Sequence, residues 1–377
     1  MQIIGIIAEY NPFHNGHLYH IKKIKELYPN SLIIAIISGE FTQRGHISIL
    51  DKFSKASICL ANQVDLVVKL PTFYSVQSAD LFAYGAITIL NYLKVDKIII
   101  GSESNDLEKL KAIACIQINN PIFDNLVKEE LSNKINYPTA LSNSIKKLLG
   151  FTTTTPNDLL AVSYLKVIIS NNYSIELESI RRTNDFHDNN STNSIVSASN
   201  IRKKYSNNID VSEYIPVNVH KYLNKDNSNM YFNLLKYKIL TNINNLHTYL
   251  SVDEGIENKI VKNINKVNTL EDLILLVKNK RYTYNKLTRM FTHILLDIKK
   301  EDVSRLSSIK YIHILGFNSK GRSYLNLIKK DNILLTSNTN KLDNNLDRTA
   351  VSIYDTIFDY QNKLINKEIQ GKPIIKG

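Results

Sequence analysis

Cysteine is scarce in this chain, with only Cys59 and Cys115 among its 377 residues. Both lie in segments with helical periodicity, so the sequence supports neither a disulfide framework nor a zinc ribbon. The apolar runs are short, and none reaches the roughly 20 residues that a membrane-spanning helix needs. The N-terminal apolar segment lacks the basic flank of a signal peptide. We therefore expect a cytoplasmic protein that does not bind membranes.

Two familiar catalytic patterns are also missing. The chain contains no G-x-x-x-x-G-K-[ST] motif, which excludes the P-loop arrangement for binding nucleotide phosphates. No Ser/His/Asp or Cys/His combination stands out, so a covalent enzyme intermediate is not indicated. A direct in-line displacement at phosphorus remains open, because it needs only positioning and charge stabilisation.

Positive charge is concentrated in the second half of the chain. Residues 1–200 contain 18 Lys and Arg against 18 Asp and Glu, whereas residues 201–377 contain 29 against 17 and carry the whole net charge of +12. A basic half joined to a neutral half favours a polyanionic partner such as RNA. The alternative is a compositional bias that places lysine on solvated faces.

The first half alternates between apolar runs and helical patterns, with helices predicted at Asp51–Asn62 and Ala79–Leu93. Near-continuous apolar strands separated by helices indicate a parallel sheet covered on both faces. We predict an α/β fold: a Rossmann-like nucleotidyltransferase domain in residues 1–205, then a mainly helical, basic domain in residues 206–377. A polar loop is expected at Asn189–Asn193. The predicted strands are Ile3–Ala8, Ser31–Ile37, Val64–Leu70, Val95–Ile100 (stopped by Gly101) and Ile175–Ile180.

The most informative segment follows the first strand. The strand breaks at Asn11-Pro12, and an amphipathic segment begins at His14-Asn15-Gly16-His17. A strand, a sharp loop and a helix start direct backbone amides at a phosphate. The two histidines are three residues apart, so both rings can face one ligand, and Gly16 leaves room for a base or phosphate. Such imidazole donors would stabilise charge that develops on a phosphoryl group.

Each histidine also has an ordinary interpretation. A histidine near a helix start is usually a cap or a surface residue, and an H-x-x-H pair can bind zinc. Because no cysteine pair lies at ligand spacing nearby, we favour the phosphate interpretation over zinc.

A second helix start, Ser197–Arg202, carries a cation. Arg182 and Arg202 are candidate phosphate clamps, because guanidinium groups bind phosphate oxygens in pairs. Gly101 would give backbone access to a ribose or base, and Asn157 would supply a directional amide. The alternatives are that Gly101 only ends a strand, that Asn157 only caps a helix, and that the arginines are solvated.

These segments resemble known motifs. His14-Asn15-Gly16-His17 is similar to the H-x-G-H signature of the nucleotidyltransferase superfamily, which is related to class I aminoacyl-tRNA synthetases. Ser197–Arg202 resembles that superfamily's second phosphate-binding motif, I-S-S-T-x-x-R, with Ala198 where serine is common. Over longer blocks the chain resembles the tRNA(Met) cytidine acetate ligase family: Gly5–His20, Ser38–Gly45, Ser78–Ala83 and Leu315–Asn318. At Glu40 that family leads us to expect a smaller amide.

The resemblance implies a two-step reaction. Acetate attacks the α-phosphate of ATP to give acetyl-adenylate and pyrophosphate, and the wobble cytidine of elongator tRNA(Met) then takes the acetyl group on N4, releasing AMP. Mg²⁺ would bridge the phosphates, and His14 and His17 would be catalytic. The ATP contacts implied in this chain are Ile7, Ala8, Glu9, Tyr10, Asn11, Pro12, Phe13, His14, Asn15, Gly16, His17, Leu18, Tyr19, His20, Gly101, Asn157, Arg182, Ser197, Ser199 and Arg202.

The basic second half suits a tRNA partner. Lys280 and Arg281 are the predicted tRNA contacts, and neighbouring tyrosines could stack on unpaired anticodon bases. The main alternative is an adenylyltransferase that makes a dinucleotide-type cofactor from a small phosphorylated substrate; it would not need a long basic extension. A tRNA-binding protein that has lost catalysis is the third possibility, and the intact H-x-G-H motif argues against it.

Overall fold

The structure, a computed structural model, describes residues 1–133, 135–182, 195–330, 333–339 and 345–376. The polar loop expected at Asn189–Asn193 lies outside these ranges. Within them, eight strands form one sheet in the order β5-β4-β1-β2-β3-β6-β7, and β8 pairs with β6. The strands are β1 (Ile3–Ala8), β2 (Leu32–Ser38), β3 (Leu66–Leu70), β4 (Lys97–Ser102), β5 (Glu176–Arg181), β6 (Tyr311–Phe317), β7 (Leu334–Thr336) and β8 (Ile374–Ile375).

Helices connect and cover the strands, and short 3₁₀ helices lie at His220–Tyr222, Ile243–Thr248 and Lys300–Asp302. None of the helices in the described ranges is long and apolar enough to cross a bilayer. The α-helices are α1 (Asn15–Leu27), α2 (Lys52–Ala61), α3 (Thr72–Ser75), α4 (Ala79–Tyr92), α5 (Leu107–Asn119), α6 (Pro121–Ser132), α7 (Tyr137–Leu149), α8 (Pro156–Ser170), α9 (Ala198–Ser206), α10 (Ser228–Thr241), α11 (Ile256–Ile264), α12 (Leu270–Val277), α13 (Tyr284–Leu295), α14 (Val303–Leu306), α15 (Ser319–Ile328), α16 (Asn345–Ile357) and α17 (Lys363–Gln370).

The predicted α/β fold is confirmed, and the five predicted strands are β1 to β5. They are mutually parallel where they pair, so their carboxyl ends meet at one edge of the sheet. One detail was wrong: Gly101 does not stop β4. Its backbone pairs with Ile180, and the ladder continues to Ser102 beside Arg181.

The sheet is buried on both faces because successive side chains of a strand point to opposite sides. Ile4 and Ile6 of β1 belong to a core with α1 and α2. Ile34 and Ile36 of β2 belong to a larger core on the other face, which includes α4 and α8. This double coverage explains why the strands read as apolar runs without alternation.

The sequence did not predict that the second half completes the sheet. β6 runs antiparallel to β3, with Val67 opposite Gly316, and β7 and β8 both pair with β6. A Cβ on Gly321 would lie 2.1 Å from the Asp65 carbonyl oxygen, so α15 packs directly against the backbone that leads into β3. Residue 205 is therefore not a boundary of the sheet, and the division into 1–205 and 206–377 stays a prediction.

Buried ion pairs join the C-terminal helices to this sheet. We call Glu40, Lys52, Lys69, Asp347 and Glu368 the buried ion cluster, because each is at most 3% exposed. Lys69 Nζ lies 2.8 Å from Asp347 Oδ1 and 3.7 Å from Glu40 Oε2. Lys52 Nζ lies 2.8 Å from Glu368 Oε2 and 3.5 Å from Glu40 Oε1. Glu40 thus sits between two lysines, which accounts for a carboxylate where a smaller amide was expected.

Candidate active site

A cleft of about 1090 Å³ opens at the carboxyl edge of the sheet. Its walls come from the ends of β1, β4 and β5, from the starts of α1, α8 and α9, and from α7. The start of α13, in the basic half of the chain, closes another side. Its position agrees with the general rule that ligands of parallel sheets bind beyond the strand carboxyl ends.

The two histidines of the H-x-G-H motif form the entrance of α1. His14 is the N-cap residue, and its Nδ1 accepts a hydrogen bond from the Gly16 amide at 3.0 Å. His17 Nδ1 accepts from the His14 amide at 3.2 Å. The two rings stack with their centroids 3.7 Å apart. Because each Nδ1 is used as an acceptor, a neutral ring carries its proton on Nε2 and can donate it to a ligand.

Both rings are neutral at pH 7. Burial lowers the pKa of His14 to about 3, and the charges of Arg182 and Arg202 act in the same direction. Burial also holds the pKa of His17 well below its ordinary value, with further lowering by His14 and Arg182. The pair therefore offers two neutral donors rather than two cations.

Gly16 has a more local role than the one expected from the sequence. A Cβ at this position would lie 2.9 Å from His14 Cε1, so the glycine first makes room for the histidine ring itself. Tyr10, in the preceding loop, packs edge-on against the His17 ring at 4.8 Å. The ring positions are thus fixed from both sides before any ligand binds.

Most residues predicted to contact ATP line this cleft. The exceptions are Pro12, Phe13, Asn15 and Leu18. Phe13 is fully buried in the core, and Asn15 donates to the Glu213 carbonyl oxygen outside the cleft. The predicted residues that do line it are Ile7, Ala8, Glu9, Tyr10, Asn11, His14, Gly16, His17, Tyr19, His20, Gly101, Asn157, Arg182, Ser197, Ser199 and Arg202.

Two buried polar atoms in the cleft wall have no hydrogen-bond partner among the described residues: Arg182 Nε and His20 Nε2. Leaving such groups unsatisfied is costly. Burial and the Arg182 charge lower the pKa of His20 to about 4, so this ring is neutral too. An unsatisfied guanidinium nitrogen beside neutral imidazoles is suited to bind an anion with several oxygens.

The second predicted helix start has the expected form. Ser197 is the N-cap residue of α9 and accepts from the Asn200 amide at 3.3 Å. Its hydroxyl lies 3.0 Å from that of Ser199. Arg202 Nη1 donates to the Asn11 carbonyl oxygen at 2.5 Å, which ties α9 to the loop after β1. Two helix N-termini therefore open into one cleft.

Asn157 is held by a carboxylate rather than by a helix cap. Its amide donates to Glu103 Oε1, while the neighbouring Asp158 accepts from the Ser102 hydroxyl and from the Glu103 and Ser104 amides. These bonds fix the loop after β4 against the start of α8. Asn157 also faces the cleft, so it can still present its carbonyl oxygen to a ligand.

Sequence reasoning missed the contribution of α13 and predicted no ligand contact from the loop after β2. Arg44, in that loop, and Arg289, on α13, both line the cleft. Arg44 belongs to the Ser38–Gly45 segment, which resembles the acetate ligase family, so it was within reach of prediction. Arg289 lies on an amphipathic helix far along the chain and carried no motif that would have marked it.

The predicted tRNA contacts lie elsewhere. Lys280 and Arg281 border a separate, shallow depression, and Arg281 forms an ion pair with Glu254 at 2.9 Å. The expectation that tyrosines stack on bases here is wrong for Tyr282. It is 2% exposed, and its hydroxyl is hydrogen-bonded to the Asp253 backbone, so it belongs to the core.

Comparisons with known proteins agree with this geometry. A family model described as HIGH Nucleotidyl Transferase matches residues 1–370. A Clostridium perfringens protein named tRNA(Met) cytidine acetate ligase is 39% identical over 100% of both chains. Relatives of the same name from Oceanobacillus iheyensis and Fusobacterium nucleatum are 37% and 34% identical, and each comparison covers at least 98% of both chains. The chain belongs to the tRNA(Met) cytidine acetate ligase family.

Two solved structures of a protein named TmcAL share the whole fold. Thermotoga maritima TmcAL bound with alpha-thio ATP superposes with a TM-score of 0.88 at 27% identity, covering 100% of this chain and 99% of that one. Its apo form gives a TM-score of 0.91 at 28% identity with the same coverage. The comparison covers all of this chain, so the C-terminal strands β6 to β8 fall within the fold shared with TmcAL.

Proposed function

We propose that this protein activates acetate with ATP and transfers the acetyl group to N4 of the wobble cytidine of elongator tRNA(Met). The observation that carries the proposal is the pair of neutral, stacked imidazoles at the start of α1. They line the same cleft as Arg182, whose Nε has no hydrogen-bond partner in the described part of the chain. Family membership supplies the substrates, since relatives along the full chain carry the name tRNA(Met) cytidine acetate ligase.

In the first step, an acetate oxygen attacks the α-phosphorus of ATP and pyrophosphate leaves. The Nε2–H groups of His14 and His17 donate to oxygens on which negative charge grows, and neutral donors do this without binding pyrophosphate too tightly to release it. Arg182 and Arg202 hold the remaining phosphate oxygens. The adenosine end rests along Gly101 and Asn157.

In the second step, the exocyclic amine of cytidine attacks the carbonyl carbon of acetyl-adenylate. The new C–N bond forms, the C–O bond to AMP breaks, and the amine loses one proton. The large cleft can hold both the nucleotide and an incoming base, because its volume exceeds the upper end of the roughly 300–1,000 Å³ range usual for small-ligand sites.

Magnesium would act through the phosphates. No group of three His, Cys, Asp or Glu side chains in the described part of the chain is arranged to hold a metal ion. Mg²⁺ commonly keeps several waters and binds substrate phosphates with few protein ligands. We therefore propose that it enters with ATP, neutralises phosphate charge and needs no dedicated protein cage.

For the domain division, we propose that residues 1–205 carry most of the nucleotide chemistry and that the basic residues 206–377 provide most of the tRNA contacts, including Lys280 and Arg281. The ion pair of Arg281 with Glu254 is highly exposed and therefore weak enough to be exchanged for a phosphate. The cytoplasm, where tRNA is modified, is the proposed location.

The test is to incubate the protein with ATP, acetate and tRNA while following AMP release and N4-acetylcytidine. His14→Ala and His17→Ala should abolish adenylate formation and leave tRNA binding intact. His220→Ala, an exposed histidine outside the cleft, is the matched control. Charge reversal at Lys280 and Arg281 should instead weaken tRNA binding.

Two outcomes would contradict the proposal. AMP formation without modified RNA would reject the ligase assignment and favour an adenylyltransferase. RNA binding that does not respond to salt would remove the argument from charge, because phosphate contacts release counterions.

A further inference from the structure

The second step of the proposed reaction needs a group that accepts a proton. The exocyclic amine of cytidine shares its lone pair with the ring, so positive charge grows on N4 as it attacks the acetyl carbon. A positioned base that takes the proton during the attack lowers this barrier. The side chains that line the cleft are the candidates for this base.

The histidines of the cleft are poorly suited to the role. His14 and His17 use Nδ1 to accept backbone amides, so their Nε2–H groups can only donate. His20 and His46 are neutral at pH 7, because burial lowers the pKa of each to about 4. A ring that accepted the proton would become a cation, and the charges of nearby arginines oppose that change.

Two acidic side chains line the cleft in the part of the chain that the structure describes, Glu9 and Asp80. Asp80 is already paired, because its Oδ1 accepts from Lys166 Nζ at 2.8 Å and from the Ser163 hydroxyl at 3.0 Å. Glu9 has one hydrogen-bond donor among the described residues, the Gln43 amide, which binds Oε1 at 2.5 Å. Its Oε2 is therefore left to accept a proton from a ligand.

The backbone holds Glu9 beside the histidine pair. Glu9 directly follows β1, at the carboxyl edge of the sheet where the cleft opens. The next residue, Tyr10, has a φ of +46°, so the chain turns sharply there, and the Tyr10 ring packs against His17. Strained backbone of this kind is common at functional sites. From the other side, the Gln43 side chain donates to the Gln77 carbonyl oxygen at 2.6 Å and fixes the loop that carries the Gln43 amide.

The charges around Glu9 match a proton acceptor next to a phosphate site. Burial lowers the pKa of Arg202, and the charge of Glu9 opposes that lowering, so the carboxylate lies within electrostatic reach of the guanidinium group. The buried Lys55 ammonium on α2 and the Tyr164 hydroxyl on α8 lie within its reach as well. The cleft thus places a negative side chain beside a cation that holds phosphate, and positive charge growing on N4 is stabilised near that side chain.

We propose that Glu9 is the catalytic base of the acetyl transfer and takes a proton from N4 of the wobble cytidine. The inference rests on the proposed function, in which that amine receives the acetyl group. As N4 attacks the carbonyl carbon of acetyl-adenylate, the C–N bond forms and the C–O bond to AMP breaks, leaving its electron pair on the phosphate oxygen. One N4 proton moves to Glu9 Oε2 and then passes to water.

The competing role for Glu9 is the ATP contact that the family resemblance implies, and separate assays of the two steps distinguish them. Acetate-dependent exchange of pyrophosphate into ATP measures the first step. Single-turnover transfer from synthetic acetyl-adenylate to tRNA(Met) measures the second. Glu9→Gln removes the negative charge but can still accept from the Gln43 amide. Glu108→Gln makes the same change at an exposed position on α5 outside the cleft, and Asp80→Asn changes the other acidic residue.

We expect Glu9→Gln to slow acetyl transfer at least about 100-fold, the lower end of the usual contribution of a general base. Pyrophosphate exchange and the Kd for tRNA(Met) should stay within about threefold, because the change removes an interaction made only in the transition state of transfer. Glu108→Gln and Asp80→Asn should transfer acetyl at the wild-type rate. In Glu9→Ala, formate should restore part of the lost transfer, because it supplies a carboxylate that fits the vacated space.

Three kinds of result would overturn the assignment. Equal losses in both steps for Glu9→Gln would place Glu9 in the ATP site. Unchanged transfer in that variant, or a loss in Asp80→Asn instead, would remove Glu9 as the base. Absence of rescue by formate would mean that the carboxylate only fixes the loop through the Gln43 amide. Failure of the proposed function is recognised separately, because the wild-type protein would then produce no N4-acetylcytidine.

Discussion

Replacing Lys69 by methionine should strongly destabilise the protein. The ammonium group lies 2.8 Å from Asp347 Oδ1 and 3.7 Å from Glu40 Oε2, and the side chain is fully buried. Burial alone would lower the pKa of Lys69, but Asp347 and Glu40 outweigh it and raise the pKa well above its ordinary value. Methionine fits the space and removes the charge, which leaves two buried carboxylates without their shared cation.

Removing one member of a buried ion pair costs about 3–5 kcal/mol of unfolding free energy, because the partner remains charged and unsolvated. Among the residues that the structure describes, Asp347 then keeps only the Thr72 amide, at 2.9 Å, as a hydrogen-bond donor. We therefore expect Lys69→Met to lose about 3–5 kcal/mol. The double variant Lys69→Met/Asp347→Asn should recover most of this loss, since neutral groups of similar volume often replace a buried ion pair at little cost.

Urea unfolding followed by circular dichroism measures both variants, with the m-value as a check that the unfolded state is unchanged. Lys23→Met is the matched control. Its pair with Glu26 is exposed and screened by solvent, so the loss should be far smaller than for Lys69→Met. A loss below about 1 kcal/mol for Lys69→Met, or no recovery in the double variant, would refute the assigned role of the buried ion cluster.

Three further predictions concern the cleft. Gly45→Ala should cost about 1–3 kcal/mol more than Gly150→Ala in thermal unfolding, because both have positive φ but only Gly45 would press a Cβ against Arg289. The free energy of unfolding should fall as the pH drops below 6.5. The reason is that the pKa of His14 is lowered to about 3 in the folded protein, so the unfolded chain binds the proton first. His14→Gln should reduce the slope of the unfolding free energy against pH by up to about 1.4 kcal/mol per pH unit, measured by urea titrations. Because the terminal phosphate of ATP itself titrates at about pH 6–7, the wild type and His14→Gln should show the same pH dependence of calorimetric ATP affinity. An inflection near pH 6.5 that is present in the wild type and absent from His14→Gln would contradict a neutral His14.

The elements that the sequence predicted well are those set by local patterns. β1 has the predicted bounds, and the ends of β2 to β5 differ by at most two residues. Apolar runs bounded by turn residues suffice for such strands. The helix start at Ser197 followed from the capping preference of serine. The one at His14 followed from the break at Asn11-Pro12 and the amphipathic pattern after it. Most of the residues that line the cleft could therefore be predicted from the sequence, because parallel strands bring their carboxyl ends to one edge of the sheet.

Other features depend on residues far apart in the chain. The pairing of β6 with β3 joins residues about 250 positions apart, and a seven-residue apolar run in a helical region gives no indication of its neighbour. In the sequence, Glu40 is a departure from the family pattern. The structure explains it, because Lys52 and Lys69 lie beside its carboxylate and the C-terminal helices pack around them. Such contacts have no periodicity and leave no local signal.

The sequence by itself determined a parallel α/β core, a paired-histidine helix entrance and a basic second half, since each depends on neighbouring residues or on composition. Only the tertiary structure decided that both histidines are neutral, because burial lowers both pKa values and Arg182, far along the chain, lowers both further. It likewise placed Arg289 beside Arg44, through a backbone contact at Gly45 that no spacing could encode. The secondary structure followed from neighbouring residues in the chain, and the protonation states of the two histidines followed from tertiary packing.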